Sequence, residues 1–157
     1  MVTIYTDGSS RGNPGPGGYG TILMAGQYKK ELSQGYRHTT NNRMELMAVI
    51  EGLKALKKAG IHVTIYSDSQ YVVNTVEKGW LKKWIATNFA GGKKNKDLWL
   101  EYHRIAKDFK VKFIWVKGHA NNPFNNRCDE LATVAADNGP HLTDEGYEAE
   151  TTNLFTK

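Results

Sequence analysis

A single cysteine in 157 residues excludes an internal disulfide, and with it the small secreted scaffolds that depend on such staples. No apolar stretch approaches the roughly 20 residues that a membrane-spanning helix requires. The amino terminus runs directly into a strand, without the basic, apolar and small-residue succession of a signal peptide. An intracellular, cytoplasmic protein is therefore expected. Phosphate-loop signatures are missing too. Gly15-Pro16-Gly17-Gly18-Tyr19-Gly20 spells G-x-G-x-x-G, but a strand follows it rather than a helix, and no Gly-Lys-Ser/Thr appears. No serine or cysteine is paired with a histidine in an activating arrangement, so a protein-borne nucleophile is not expected. Cys128 shares an apolar helical face with Leu131 and Ala135, while Asp129 points about 100° away, which makes the thiol a core residue.

What is present is a soluble globular composition, 39% hydrophobic and 24% charged, long enough for one real core. Residues 1–139 read as one domain. Residues 140–157 carry Asp144, Glu145, Glu148 and Glu150 with few apolar anchors, and a loosely ordered tail is expected there. The net charge is +5, and much of it clusters at Lys82, Lys83, Lys93, Lys94 and Lys96. Trp80, Trp84 and Phe89 are interleaved with these lysines, a pattern suited to a nucleic-acid backbone. Lys54, Lys57 and Lys58 read as an ordinary solvated helix face.

Alternation and turn residues predict strands at 2–7, 19–25, 29–36, 62–67 and 110–116, with the glycine-rich stretch after Asp7 as a turn. Helical spacing predicts helices at 43–59, 69–77, 95–109 and 125–138, and a further one from Trp80 to the break at Ala90-Gly91-Gly92. Asn41 or Asn42 is the expected cap of the first helix. Strands one to three would meander antiparallel. Right-handed crossovers would then set strands four and five parallel to strand one, giving an α/β fold with a five-stranded mixed sheet of order 3-2-1-4-5 and helices on both faces.

In that order the chain changes its direction of travel between strands one and four. Such switch points leave a crevice at the carboxyl ends of the strands. Asp7 and Asp68 would close the two flanking strands, while Glu45 and Asp129 would lie in opening turns of helices. Singly, each acid has a structural explanation as turn former, cap or helix-dipole partner. Together they would form a cluster whose like charges raise one another's pKa values, and a divalent cation relieves that. Oxygen-only ligands suit Mg²⁺ or Mn²⁺. Two such cations, about 3.5–4 Å apart, would serve phosphodiester hydrolysis. His119 follows strand five in a loop on the same edge and suits proton handling.

Six segments resemble bacterial ribonuclease HI of the type 1 ribonuclease H family. They are Thr6-Asp7-Gly8-Ser9, the run from Gly12 to Gly20, Thr39-Thr40-Asn41-Asn42-Arg43-Met44-Glu45-Leu46, Ser67-Asp68-Ser69-Gln70-Tyr71-Val72, Trp115-Val116-Lys117-Gly118-His119, and Asn126-Arg127-Cys128-Asp129-Glu130-Leu131-Ala132. The resemblance implies a Mg²⁺-dependent endonuclease that cuts the RNA of RNA/DNA hybrids, leaving 5′-phosphate and 3′-hydroxyl ends, and acts as a monomer. It implies that Asp7, Glu45, Asp68 and Asp129 bind metal and that His119 is the mobile-loop histidine. It places Asn13, Asn41, Asn42 and Gln70 near the RNA strand, where short amides suit a 2′-hydroxyl. Thr40 and Asn95 would grip a DNA-strand phosphate, and Trp80 and Trp84 would lie against the same strand.

The chain departs from the family pattern at His38, where arginine is frequent, at Ser10, where cysteine is frequent, and in a shortened basic protrusion. Two alternatives use the same features. An integrase- or resolvase-type DNA nuclease would share the acidic site but need elements that select DNA strands. A non-catalytic hybrid-binding module would lack at least one acid, and all four are present.

Overall fold

The computed structural model describes residues 1–118 and 121–153, the last three of these by their backbone alone. Three strands come first, β1 (Val2–Ser10), β2 (Gly15–Ala25) and β3 (Tyr28–Thr39), followed by α1 (Asn41–Lys54). Next are β4 (His62–Ser67), α2 (Gln70–Glu77), α3 (Trp80–Ala86), α4 (Lys96–Ala106) and β5 (Lys110–Trp115). The described chain closes with α5 (Pro123–Asn138), β6 (His141–Leu142) and α6 (Glu145–Asn153).

The sheet order is β5-β4-β1-β2-β3-β6. β1, β2 and β3 pair antiparallel, and β1, β4 and β5 pair parallel, as the periodicity and crossover rules predict. The sheet has six strands rather than five, because β6 adds to the edge parallel to β3 through Gly35↔His141 and Tyr36↔Leu142. The stretch beyond Gly139, expected as a loose tail, therefore carries a strand and a helix as far as Asn153.

α1 is enclosed almost all round. Met44, Leu46, Ala48, Val49, Ile50 and Leu53 are buried between the sheet and α4, next to Ile4, Val63, Ile65, Trp99 and Tyr102. Thr40, not Asn41 or Asn42, caps this helix by accepting the Arg43 N–H at 3.3 Å. α5 begins two residues earlier than its sequence suggests. Asn122 caps it by accepting from Phe124 and Asn125, both at 3.0 Å, with Pro123 in the first turn.

Most of the glycine-rich run is strand, and only residues 11–14 remain as the turn between β1 and β2. β1 continues to Ser10 and β2 starts at Gly15, pairing Asp7 with Gly20 and Ser9 with Gly18. Gly18 and Gly20 allow α5 to lie with its backbone on the sheet. A methyl on Gly18 would stand 2.5 Å from the Ala132 carbonyl oxygen, and one on Gly20 would collide with that of Cys128. This close seating brings Asp129 to the crevice. Cys128 is a buried free thiol, and burial pushes its pKa well above the usual thiol range.

Candidate active site

The crevice opens where parallel pairing stops. The last β1–β4 pair is Thr6↔Ser67, and Ser67 pairs with Trp115 of β5. Asp7 and Asp68 are the next residues in sequence, Asp7 still within β1 and Asp68 just past the end of β4. Asp7 does not end β1, which continues antiparallel to β2, but it lies just past the parallel ladder. Asp68 is held by its turn: Ser69 N–H donates to Ser67 Oγ at 3.1 Å, and Trp115 Nε1–H donates to the Asp68 carbonyl at 3.1 Å.

Glu45 reaches the same point from α1. Its backbone rests on Gly8, where any Cβ would collide with the Met44–Glu45 peptide. Carboxylate oxygens of Asp7, Glu45 and Asp68 lie within 4.8 Å of one another. Asp129 is not part of this triad, yet its charge raises both Asp7 and Asp68. Neither Glu45 nor Asp129 falls in a first helical turn, so dipole complementation accounts for neither. His119 lies outside the described residues.

The electrostatics are those of acids packed without a cation among the described side chains. Asp7 and Glu45 are 5% and 7% exposed, too little for water to screen their charges. Asp7 is pushed up to about 8, first by burial and then by Asp68, against a hydrogen bond from Gly8 N–H at 2.9 Å. Glu45 is raised well above the usual range by burial and by the charges of Asp7 and Asp68. Asp68 is raised by burial and by Asp129. Among the described residues Glu45 Oε1 and Asp68 Oδ1 are buried with no hydrogen-bond partner. Oriented, unpartnered carboxylate oxygens fit a hard divalent cation.

A groove of about 720 Å³ is lined by Asn13, Thr40, Asn42, Trp80, Trp84 and Asn95, with Lys93 and Lys94. Hydrogen bonds brace its Asn13 and Asn42 side. Asn41 N–H donates to Asn13 Oδ1 at 3.0 Å, and Asn41 Oδ1 accepts from Ser10 N–H at 3.0 Å, fixing the start of α1 to the β1–β2 turn. Asn95 has a left-handed backbone, φ 64°, and donates to the Tyr71 hydroxyl at 3.1 Å. Gln70 is exposed at the start of α2.

Trp84 is both wall and core, since its ring also packs on Tyr71, Phe89 and Trp99. Trp80 is more exposed, at 38%. Lys93 Nζ lies 5.5 Å from the Trp84 ring centre, and Lys96 Nζ donates to Asn88 Oδ1 at 2.6 Å. Lys82 and Lys83 are exposed on α3. Arg37, beside His38, forms a two-point pair with Glu148.

Three functional-looking neighbours carry no local signal in the sequence. Arg43, 1% exposed, donates from Nη1 to Asn95 Oδ1 at 3.4 Å and so supports the groove from below. Tyr147 and Glu150 of α6 line the groove from a segment whose composition resembles a solvated tail.

Comparison with known proteins gives this arrangement a family. The sequence profile of RNase H matches residues 1–137. Ribonuclease H of Desulforamulus reducens is 54% identical over 139 residues, spanning 86% of this chain and 87% of its own. Ribonuclease HI of Haemophilus ducreyi is 53% identical over 151 residues, covering 94% and 97% respectively. Among solved structures, LC9-RNase H1, a type 1 RNase H with the type 2 active-site motif, superposes with a TM-score of 0.80 at 30% identity, over 96% of this chain and 80% of that one. LC11-RNase H1, solved in complex with an RNA/DNA hybrid, gives 0.65 at 25% identity over 87% and 97%. With its switch-point acids, its sheet order and these relatives, the chain belongs to the ribonuclease H family of nucleases.

Proposed function

We propose that the protein is an endonuclease that hydrolyses the RNA strand of RNA/DNA hybrids, with two divalent cations as cofactor, leaving 5′-phosphate and 3′-hydroxyl ends. Mg²⁺ is the cation of choice and Mn²⁺ a substitute, working in a cytoplasmic monomer. The observation that carries this reading is the triad of Asp7, Glu45 and Asp68, with two buried oxygens unpartnered among the described residues, beside an amide- and lysine-lined groove. These three acids and Asp129 would hold the cations. Bound there, the cations would supply water activation and charge stabilisation for in-line displacement at phosphorus.

The remaining residues bind and orient. Asn13, Asn41, Asn42 and Gln70 present short amides that donate to and accept from 2′-hydroxyls, the group that separates RNA from DNA. Thr40 and Asn95 would grip a phosphate of the DNA strand. Trp80 and Trp84 would lie against that strand, with Lys82, Lys83, Lys93, Lys94 and Lys96 supplying charge. His119 would handle protons and assist product departure. The hybrid complex of LC11-RNase H1 supports this choice of substrate.

The test compares cleavage of RNA/DNA hybrid, duplex RNA and duplex DNA, with Mg²⁺ and with chelator. Only the hybrid should be cut efficiently, and only with the cation. Asp68→Asn should lose most turnover while still binding. Efficient cutting of duplex DNA, or full activity in the variant, would overturn the assignment.

A further inference from the structure

The acidic tail of this basic protein ends up in the substrate groove, and it is anchored there. Arg43 donates to Asp144 from Nε at 2.8 Å and from Nη2 at 2.9 Å, with both side chains almost fully buried. The same guanidinium donates to Asp97 of α4 at 2.9 and 2.7 Å. Asp144 also accepts the Thr39 hydroxyl at 2.7 Å and the Tyr147 N–H at 3.3 Å. Gly146 lets α6 seat directly on this network, because a Cβ there would collide with the Asp97 carboxylate and stand 2.9 Å from Arg43 Nη2. The Tyr147 ring lies 6.0 Å from the Arg43 guanidinium and 5.4 Å from the His38 ring. α6 is therefore tied at its first turn to the floor of the groove.

One turn beyond Tyr147, Glu150 lines the groove together with Trp80 and Trp84, and it also lines the adjoining hollow that Lys93, Lys94 and Lys96 share with Asp97 and Leu100. It is exposed, and no ion pair among the described residues includes it. A groove that collects phosphates through lysines thus carries a fixed negative charge on its rim. Such a charge opposes every polyanion that enters, and it weighs most on ligands held by charge alone.

We propose that Glu150 is a specificity-setting residue of the groove, one that loosens its electrostatic hold on duplex backbone so that retention depends on the amide contacts to RNA. This inference rests on the substrate reading given above. It identifies a cost for duplexes that offer phosphates but no cleavable strand, and double-stranded DNA is the chief such competitor in a cell.

The experiment measures binding of fluorescent RNA/DNA hybrid and of double-stranded DNA, in chelator, to the wild-type protein, Glu150→Gln and Glu145→Gln. Glu145 lies on the same helix but lines a different hollow, beside Tyr36 and Met47, so it controls for net charge. Glu150→Gln should tighten both duplexes by about two- to five-fold at low salt, with the larger gain for DNA, and the gain should fade as salt rises. In cleavage assays with Mg²⁺, it should lower KM and sharpen inhibition by added double-stranded DNA. Glu145→Gln should match the wild type, and melting temperatures confirm that all three are folded. Equal binding by the two variants, a gain for hybrid as large as that for double-stranded DNA, or a fall in kcat with Glu150→Gln, would overturn the proposal. Failure of the wild type to cut hybrid would instead remove the substrate reading, so the two failures are separable.

Discussion

Replacing Asp7 with asparagine should stabilise the cation-free protein while destroying its activity. The carboxyl is displaced from its ordinary 3.8 to about 8. Between those values the folded chain keeps a proton that the unfolded chain has lost, so the folded state binds more protons. Stability must then fall as pH rises from about 4 to about 8. At pH 7 the span above 3.8, at ~1.4 kcal/mol per unit, sets a ceiling of about 4 kcal/mol. Water and side chains rearrange around a buried charge, which brings the expected gain for Asp7→Asn to about 1–3 kcal/mol. Asparagine has the same shape and keeps an oxygen for the Gly8 N–H. The assay is thermal unfolding of both proteins from pH 4 to 8, in chelator and in Mg²⁺. In chelator the variant should melt about 3–10 °C higher near neutral pH, and the gap should close towards pH 4. Mg²⁺ should raise the wild type and leave the variant nearly unmoved. A variant less stable than wild type in chelator at pH 7, or a gap independent of pH, would refute the reasoning.

Two further outcomes follow from the groove and its floor. Arg43→Met should cost about 3–5 kcal/mol in urea denaturation, because it leaves Asp144 buried with its charge unpaired; a loss below ~1 kcal/mol would show that Asp144 does not rely on it. Replacing Lys93, Lys94 and Lys96 together should raise KM, leave kcat nearly unchanged, and flatten the salt dependence of binding by up to about two to three in log–log slope. A large fall in turnover at saturating substrate would mean that these lysines sit nearer the chemistry.

The sheet order was legible because its signals are local and periodic. Alternation in Val2–Tyr5 and Val63–Tyr66, and the helical spacing of Leu46, Val49, Ile50 and Leu53, leave little choice once crossovers are right-handed. The meeting of Asp7, Glu45 and Asp68 follows from that topology alone. The glycine run was misleading because glycine serves two ends. At Gly18 and Gly20 it admits the backbone of α5, whereas composition reads it as a turn. The helix starts are ambiguous by residue type for a related reason: Thr40 stands beside Asn41 and Asn42, and Asn122 precedes Asn125 and Asn126 by one turn, all of them residues that cap helices. The C-terminal segment was unreadable. Its acids look solvated until Asp144 meets an arginine 101 residues away, and no local pattern announces such a pair.

The most direct measurement is anomalous diffraction from crystals soaked in Mn²⁺. Ions should appear in contact with Asp7, Glu45 and Asp68, at distances of about 2.0–2.3 Å from their oxygens, and should vanish in Asp7→Asn. An empty triad in crystals of protein that cleaves hybrid in the same Mn²⁺ buffer would contradict the account.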